Sequence, residues 1–470
     1  MDEFKNNKYF KLFNELKENQ YNIGNSSYKD RILQLNNLKK AIETTYRKKI
    51  QSALFNDFKK PFLETDLTEI YPITSEIKHV ETHLKSWMST HRVSTPITLV
   101  GASSWYKYES KGVCLIMSPW NFPLNLTFRP LVSAIAAGNT VILNPSEITP
   151  HISAVMKEIV SDLFKEDEII LIEGDIEDSK ELLKLPFNHI YFTGSSNVGK
   201  KIMKAAAINL TSITLELGGK SPTIIDESAN LNAIVKKIAW GKFLNNGQVC
   251  VSPDYILLHE TIKEKFIKKL KSQLELFYSD NSAESKSYCR IVNNRHYNRL
   301  INHITDAKIK GATIEFGGDF NEIDKFISPT LITNLSEDST LLSDEIFGPI
   351  LPIISYSNLN KAIEFINTKE KPLALYIYSK NTKNINQIIN NTRAGSTCIN
   401  NNVVQYSNTN LPFGGSNNSG IGKSHGFYGF KEFSNQRSFL KQHTKGILEF
   451  LFPPYNSIKQ ILINLTIKWF

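Results

Sequence analysis

Between residues 31 and 60 the apolar positions Leu35, Leu38, Ile42, Tyr46 and Ile50 recur at three- and four-residue intervals among Lys, Glu and Thr, which predicts amphipathic helix. From Lys111 the spacing changes. Short β-rich runs alternate with helical ones: GVCLIM at 112–117, a helix through Leu131 and Ala136, TVILNP at 140–145, a helix over 151–164, EIILIEG at 168–174, a short helix, and HIYFTG at 189–194. Strands separated by helices at this spacing predict βαβ units, hence a parallel sheet with helices on both faces. A helix at 198–210 and the run ITLELGG at 213–219 close this series, and a helix over 229–245 leads into GQVC. A second series follows: YILLH at 255–259, a Lys-rich helix ending at Phe277, strands near 313–316 and 329–334, IFGPILPIISY at 346–356, a helix from Asn360, and LALYIYS at 373–379. The pattern predicts two α/β domains joined near residues 219–222. Residues 90–110 are short of helix formers, and STPITLVGASSWYKYES reads as a hairpin belonging to neither series.

A length of 470 residues predicts two to four domains. Hydrophobic residues at 41% against charged residues at 21% supply enough apolar surface to exclude intrinsic disorder. The net charge of +9 is spread as pairs such as Lys39-Lys40, Lys236-Lys237 and Lys268-Lys269 on helical stretches, so it reads as solvated helix faces rather than a nucleic-acid patch. The 4 cysteines, Cys114, Cys250, Cys289 and Cys398, form no CxxC and lie near no His cluster, which excludes a disulfide framework and a zinc site and leaves no metal expected. The opening MDEFKNNKYF lacks the apolar core of a signal peptide, and no run reaches the roughly 20 apolar residues of a membrane span. Cytoplasmic residence is the expectation.

Six segments carry candidate chemistry. HIYFTGSSNVGK (189–200) is a strand, a tight turn and a helix start, a place where backbone N–H groups meet a phosphate. Ser196 replaces the middle glycine of G-x-G-x-x-G, and plain punctuation remains the alternative. Cys250 follows Gly247 and Gln248 in a polar setting that suits a thiolate nucleophile; a small buried thiol is the alternative. Cys114 lies in an apolar strand, and Cys398 is the second choice. Glu216 interrupts the apolar run ITLELGG at what would be the carboxyl end of a strand, where burial raises a carboxyl pKa and suits a general base; the polar face of a sheet is the alternative. Asn121, between prolines in SPWNFP, offers an amide to an oxyanion, whereas Trp120 and Phe122 read as packing. Glu147 in NPSE and Glu345 in DEIFGP stand at strand ends or turns, facing ribose hydroxyls or solvent.

PWNFP, NPSE, FTGSSNVG, ELGGKSP, GQVC and EIFGP occur in the order and at the spacings of the aldehyde dehydrogenase superfamily, which this chain resembles from about residue 30 to 440. Its short N-terminus and the tail PPYNSIK resemble the class 3 branch, which includes fatty and aromatic aldehyde dehydrogenases. The resemblance implies an α/β aldehyde dehydrogenase fold: a Rossmann-like cofactor domain (1–83 and 106–219), an α/β catalytic domain (220–398), a small bridging oligomerisation region (84–105 and 399–440) and a tail (441–470). It implies NAD(P)-dependent oxidation of a medium- or long-chain aliphatic or aromatic aldehyde to the acid. Cys250 is then the nucleophile, Asn121 the oxyanion donor and Glu216 the base that hydrolyses the thioester. Trp120, Asn144, Glu147, Gly194, Ser195, Gly199, Leu217, Gly218, Glu345 and Phe347 are implied around the cofactor. Asn144 stands where the family usually has Lys, which favours NAD and leaves NADP open; Phe122 stands where class 3 often has Tyr. A homodimer is implied. In the tail, Ile458, Ile461, Leu462, Leu465 and Trp469 share one helical stripe, read as packing on the chain or its partner, with interfacial membrane contact as the alternative. Two rival readings are transfer of the acyl group to coenzyme A, disfavoured by the retained Glu216, and a non-catalytic relative.

Overall fold

Continuous apolar runs become strands that are covered on both faces, as parallel sheets require. The computed structural model describes residues 6–469, apart from the side chain of Ile447. The first five residues of the expected cofactor segment and Phe470 of the expected tail lie outside the described residues. One six-stranded sheet has the order Gly420–Ile421, Ser212–Leu217, His189–Gly194, Val113–Met117, Thr140–Asn144, Ile169–Leu171. All its neighbours are parallel except Gly420–Ile421, which sets Gly420 opposite Glu216. The chain begins at Val113–Met117 in the middle, builds toward Ile169–Leu171, then returns to the other side at His189–Gly194. The switch point falls between Val113–Met117 and His189–Gly194, and such points open a crevice beyond the strands' carboxyl ends. SPWNFP and the Gly194 turn flank it.

A seven-stranded sheet holds Thr313–Phe316, Thr330–Thr333, Ile350–Tyr356, Tyr255–His259, Pro222–Ile225, Ala374–Tyr378 and Ser396–Ile399 in that order, parallel except for its first pair. Only residues 218–221 separate Leu217 of one sheet from Pro222 of the other, so ELGGKSP is the joint. A three-stranded antiparallel sheet stands apart: His91–Val93, Ala102–Ser110 and Ser434–Gln442, with Trp105 stacked on Phe439 at 5.6 Å. Its strands run to Ser110 and Gln442, whereas Gly420–Ile421 joins the six-stranded sheet. The single helical pattern expected over 31–60 is broken at Ala41–Thr45 by a π turn between Tyr28–Lys40 and Arg47–Phe58. The tail helix, Ser457–Trp469, forms as its stripe predicts, and its five apolar residues are 47–69% exposed, none of them buried.

Candidate active site

The helix Leu231–Phe243 ends in a turn that carries Asn245 (φ 51°), Asn246 (φ 55°) and Gly247 (φ 70°) in left-handed conformations. At Gly247 this is obligatory for a second reason. A Cβ there would lie 2.2 Å from the Gly348 carbonyl oxygen. The turn delivers Cys250 half-buried, and its thiol is pushed up to about 12 by burial first, then by the charges of Glu345 and Glu216, against the lowering effect of its own N–H and that of Val251. Two of the three carboxylates named from the sequence, Glu345 and Glu216, therefore raise the pKa of this sulfur. Asn121 is buried, with its Nδ2 donating to the Gln248 carbonyl at 3.0 Å and its own carbonyl accepting from Asn245 Nδ2 at 2.9 Å. An amide nitrogen has two N–H groups, and the Gln248 bond occupies one of them.

Glu216, one residue before the end of its strand, lines a cavity of about 10 Å³ together with Arg129, Ser133, Tyr191, Tyr406, Ser424 and His425 among others, close to the least volume that holds one water. Its carboxylate accepts from Ser424 Oγ and pairs with the Tyr191 hydroxyl. Burial raises its pKa, while those two hydrogen bonds and the charges of Arg129 and Lys423 oppose the rise. Arg129 is itself held by Glu76, Nη2 to Oε2 at 3.0 Å, with its guanidinium 4.7 Å over the Tyr406 ring.

The crevice carries the features a dinucleotide needs. Ser195 caps the helix Ser196–Ile208 by accepting from Val198 N, and remains exposed at that helix's N-terminus. Thr193 Oγ1, just before Gly194, is buried with no hydrogen-bond partner among the described residues. Gly199 packs so closely on Leu217 that a Cβ would meet its Cδ2 at 2.9 Å. A Cβ on Gly218 would lie 2.2 Å from Glu345 Oε2, and the Glu345 carboxyl, which accepts from Gly219 N–H, is pushed up to about 8 by burial and the nearby Asp254 charge. Phe347 (φ 49°) stands edge-on to Trp120 at 5.4 Å, with His296 on Trp120 as well. Glu147 is exposed on the turn after Thr140–Asn144.

Asn144 is buried, its Nδ2 donates to Ile172 O at 3.1 Å and its Oδ1 accepts from Ser179 Oγ at 2.8 Å, so both ends of its amide are bonded within the protein. Sequence reasoning passed over the residues that hold the Glu345 loop. Arg299 Nη2 donates to Ile346 O at 2.7 Å, Asp254 Oδ1 accepts from Ile346 N at 2.9 Å, and Lys220 Nζ donates to Asp344 O at 2.6 Å while pairing with Asp254. Lys220 lies inside the quoted motif ELGGKSP and Asp254 four residues past GQVC, but Arg299 has no local signal at all.

A half-buried thiol that feels the charges of two buried carboxylates, in a fold whose doubly wound sheet opens a crevice suited to a dinucleotide, fits an oxidoreductase. Residues 4–439 match the aldehyde dehydrogenase family, to which this chain belongs. It is 43% identical over 422 residues to a 4,4'-diaponeurosporen-aldehyde dehydrogenase of Staphylococcus aureus, covering 90% of this chain and 91% of that one. It is 39% identical over 410 residues to an aldehyde dehydrogenase, dimeric NADP-preferring, of Mus musculus, covering 87% and 89%. The solved substrate-bound state of Staphylococcus aureus AldH superposes with a TM-score of 0.93 at 40% identity, covering 97% of this chain and 99% of that one. The chain is an NAD(P)-dependent aldehyde dehydrogenase with the α/β fold of that family.

Proposed function

We propose that this enzyme oxidises apolar aldehydes, medium- or long-chain aliphatic or aromatic, through Cys250. The observation that carries the reading is the company of the thiol: Cys250, Val403 and Tyr406 all pack against one apolar cluster that includes Phe122, Leu126 and Phe413. The nearby cation, Arg129, is already paired with Glu76. A neutral acyl chain suits such walls, and a carboxylate-bearing one does not.

In this reading the Cys250 thiolate attacks the aldehyde carbon, and the oxyanion of the thiohemiacetal is held by the Asn121 amide and the Cys250 N–H. The bound dinucleotide supplies the hydride acceptor. Loss of hydride leaves a thioester on Cys250. Glu216 then takes a proton from the water that hydrolyses it. Gly194, Ser195 and Gly199 would hold the pyrophosphate, Glu147 the adenine ribose, and Glu345 and Phe347 the nicotinamide side, with Trp120, Leu217 and Gly218 shaping that wall. NAD is the proposed partner, because the neutral, internally bound Asn144 brings no charge toward a 2′-phosphate.

We assign 1–83 and 106–219 to cofactor binding, 220–398 to catalysis, 84–105 and 399–440 to bridging, and 441–470 to a tail. The edge strands of the three-stranded sheet, together with a relative named as dimeric, support a homodimer in which the tail stripe packs on the partner subunit. Cytoplasmic residence is supported by four free cysteines and a reaction that needs a reduced thiol. The test of the substrate reading is a graded series of aliphatic, aromatic and carboxylated aldehydes. Specificity, kcat/KM, should rise by about fourfold per added methylene in the aliphatic series, from ~0.8 kcal/mol per buried CH₂. Highest specificity for a carboxylated aldehyde overturns it.

A further inference from the structure

Behind the catalytic loops lies a charged cluster that the reaction itself does not use. Lys60 and Glu69 are fully buried and paired, Nζ to Oε1 at 2.7 Å, and Lys60 Nζ also sits 4.1 Å over the Phe122 ring. The helix Pro123–Ala137, which starts directly after Asn121-Phe122, has no side-chain cap of its own at Phe122. Glu69 supplies one from outside: its Oε2 accepts from Asn125 N at 3.0 Å, placing a carboxylate at the positive end of that helix. Glu64, partly buried, does the equivalent for the second loop, its Oε1 accepting from Asn245 N at 3.0 Å. Asn245 Nδ2 in turn reaches the carbonyls of Asn121 at 2.9 Å and Gln248 at 3.2 Å. One short segment thus holds both the loop that carries the oxyanion donor and the loop that carries the nucleophile.

The local fold explains how. Residues five apart on a regular α-helix point about 140° away from each other, since each residue turns the chain by roughly 100°. Between Phe62–Thr65 and Tyr71–Trp87 the chain makes a π turn, Asp66–Ile70, whose extra residue brings Glu64 and Glu69 back to nearly one face. Lys60 offsets the charge this creates.

We propose that Glu64 and Glu69, balanced by Lys60, are positioning residues that set the Asn121 amide and the Cys250 loop in register for carbonyl chemistry. This rests on Asn121 being the oxyanion donor. The test is a double-mutant cycle on the full chain with bound NAD, using hexanal and reading the single-turnover rate of NADH formation. Glu64→Met removes the acceptor and should slow that rate at least tenfold. Glu64→Gln, which still accepts from Asn245 N, should restore it to within about threefold. The rate of Cys250 alkylation by iodoacetamide, which needs no oxyanion donor, should stay within twofold in both. In an Asn121→Ala background Glu64→Met should add less than twofold. If Glu64→Met yields no folded protein, Asn245→Gly keeps the left-handed backbone and its N–H to Glu64 while cutting the side-chain link from Asn245 Nδ2 to the Asn121 carbonyl, and the same slowed NADH formation with unchanged alkylation is expected. Equal rates for the Met and Gln variants, a parallel loss of alkylation, or effects that multiply on Asn121→Ala overturn the proposal. An Asn121→Ala enzyme with an undiminished burst refutes the oxyanion role itself, a result distinct from failure of the brace.

Discussion

At Cys250 burial and the charges of Glu345 and Glu216 push the thiol up and favour its neutral form. Replacing Cys250 by Ala should abolish NADH formation with every aldehyde tested, with or without coenzyme A, and persistent activity there would end the mechanism. For Glu216→Gln the expected result is different: a burst of NADH at near-normal rate followed by slow turnover as thioester accumulates, read by stopped-flow absorbance. The pH dependence follows from the same carboxyl. A base works only when deprotonated, so hydrolysis-limited turnover should rise with pH through the raised pKa of Glu216. The Ser424 hydroxyl stabilises the anion and lowers that pKa. Ser424→Ala therefore moves the acid limb of the kcat profile to higher pH, and a shift to lower pH, or none, would contradict the contact.

Turns and strand ends, more than helices, determine what the site residues do. At Gly247 the left-handed φ and the adjacent Gly348 carbonyl leave no room for a side chain, so Gly247→Ala must displace the loop. Loss of at least ~1 kcal/mol of stability and a burst slowed more than tenfold are expected, measured by denaturant melts and stopped flow. Asn144 is the contrasting case. It ties the strand Thr140–Asn144 to the helix Ile176–Leu183 through Ser179. Asn144→Ala should cost about 1–3 kcal/mol of stability yet change the KM for NAD less than threefold. The difference between these positions explains what the sequence could convey. Cys250, Glu216 and Asn121 stand out as candidates because each sits in a short run whose local character, polar among apolar or rigid between prolines, is anomalous. The commitment of Asn144 does not, because its partner Ser179 is 35 positions away and only the packed sheet brings them together. The π turn at Asp66–Ile70 was hidden for another reason: an inserted residue shifts the phase of a helix without altering its composition.

At the scale of the molecule, the alternation of strand and helix correctly gave two sheets joined at ELGGKSP, since that pattern reports burial on both faces. It did not give the partner of the strand at 420–421, which crosses back to the six-stranded sheet. The exposed stripe of the tail helix carries its own expected outcome. A chain truncated after Pro454 should retain full kcat but show weakened association by light scattering, and full-length and truncated forms should float equally with anionic vesicles. Greater recovery of the full-length chain would assign the stripe to lipid instead. The return of the chain at 420–424 has a consequence for how the protein is made. The hydroxyl that tunes Glu216 arrives from the ribosome long after the thiol has been synthesised, so a fragment ended by a premature stop before Ser424 carries the nucleophile without its finished base. Such fragments would release product slowly at best, and complementation should require the missing C-terminal piece rather than extra cofactor.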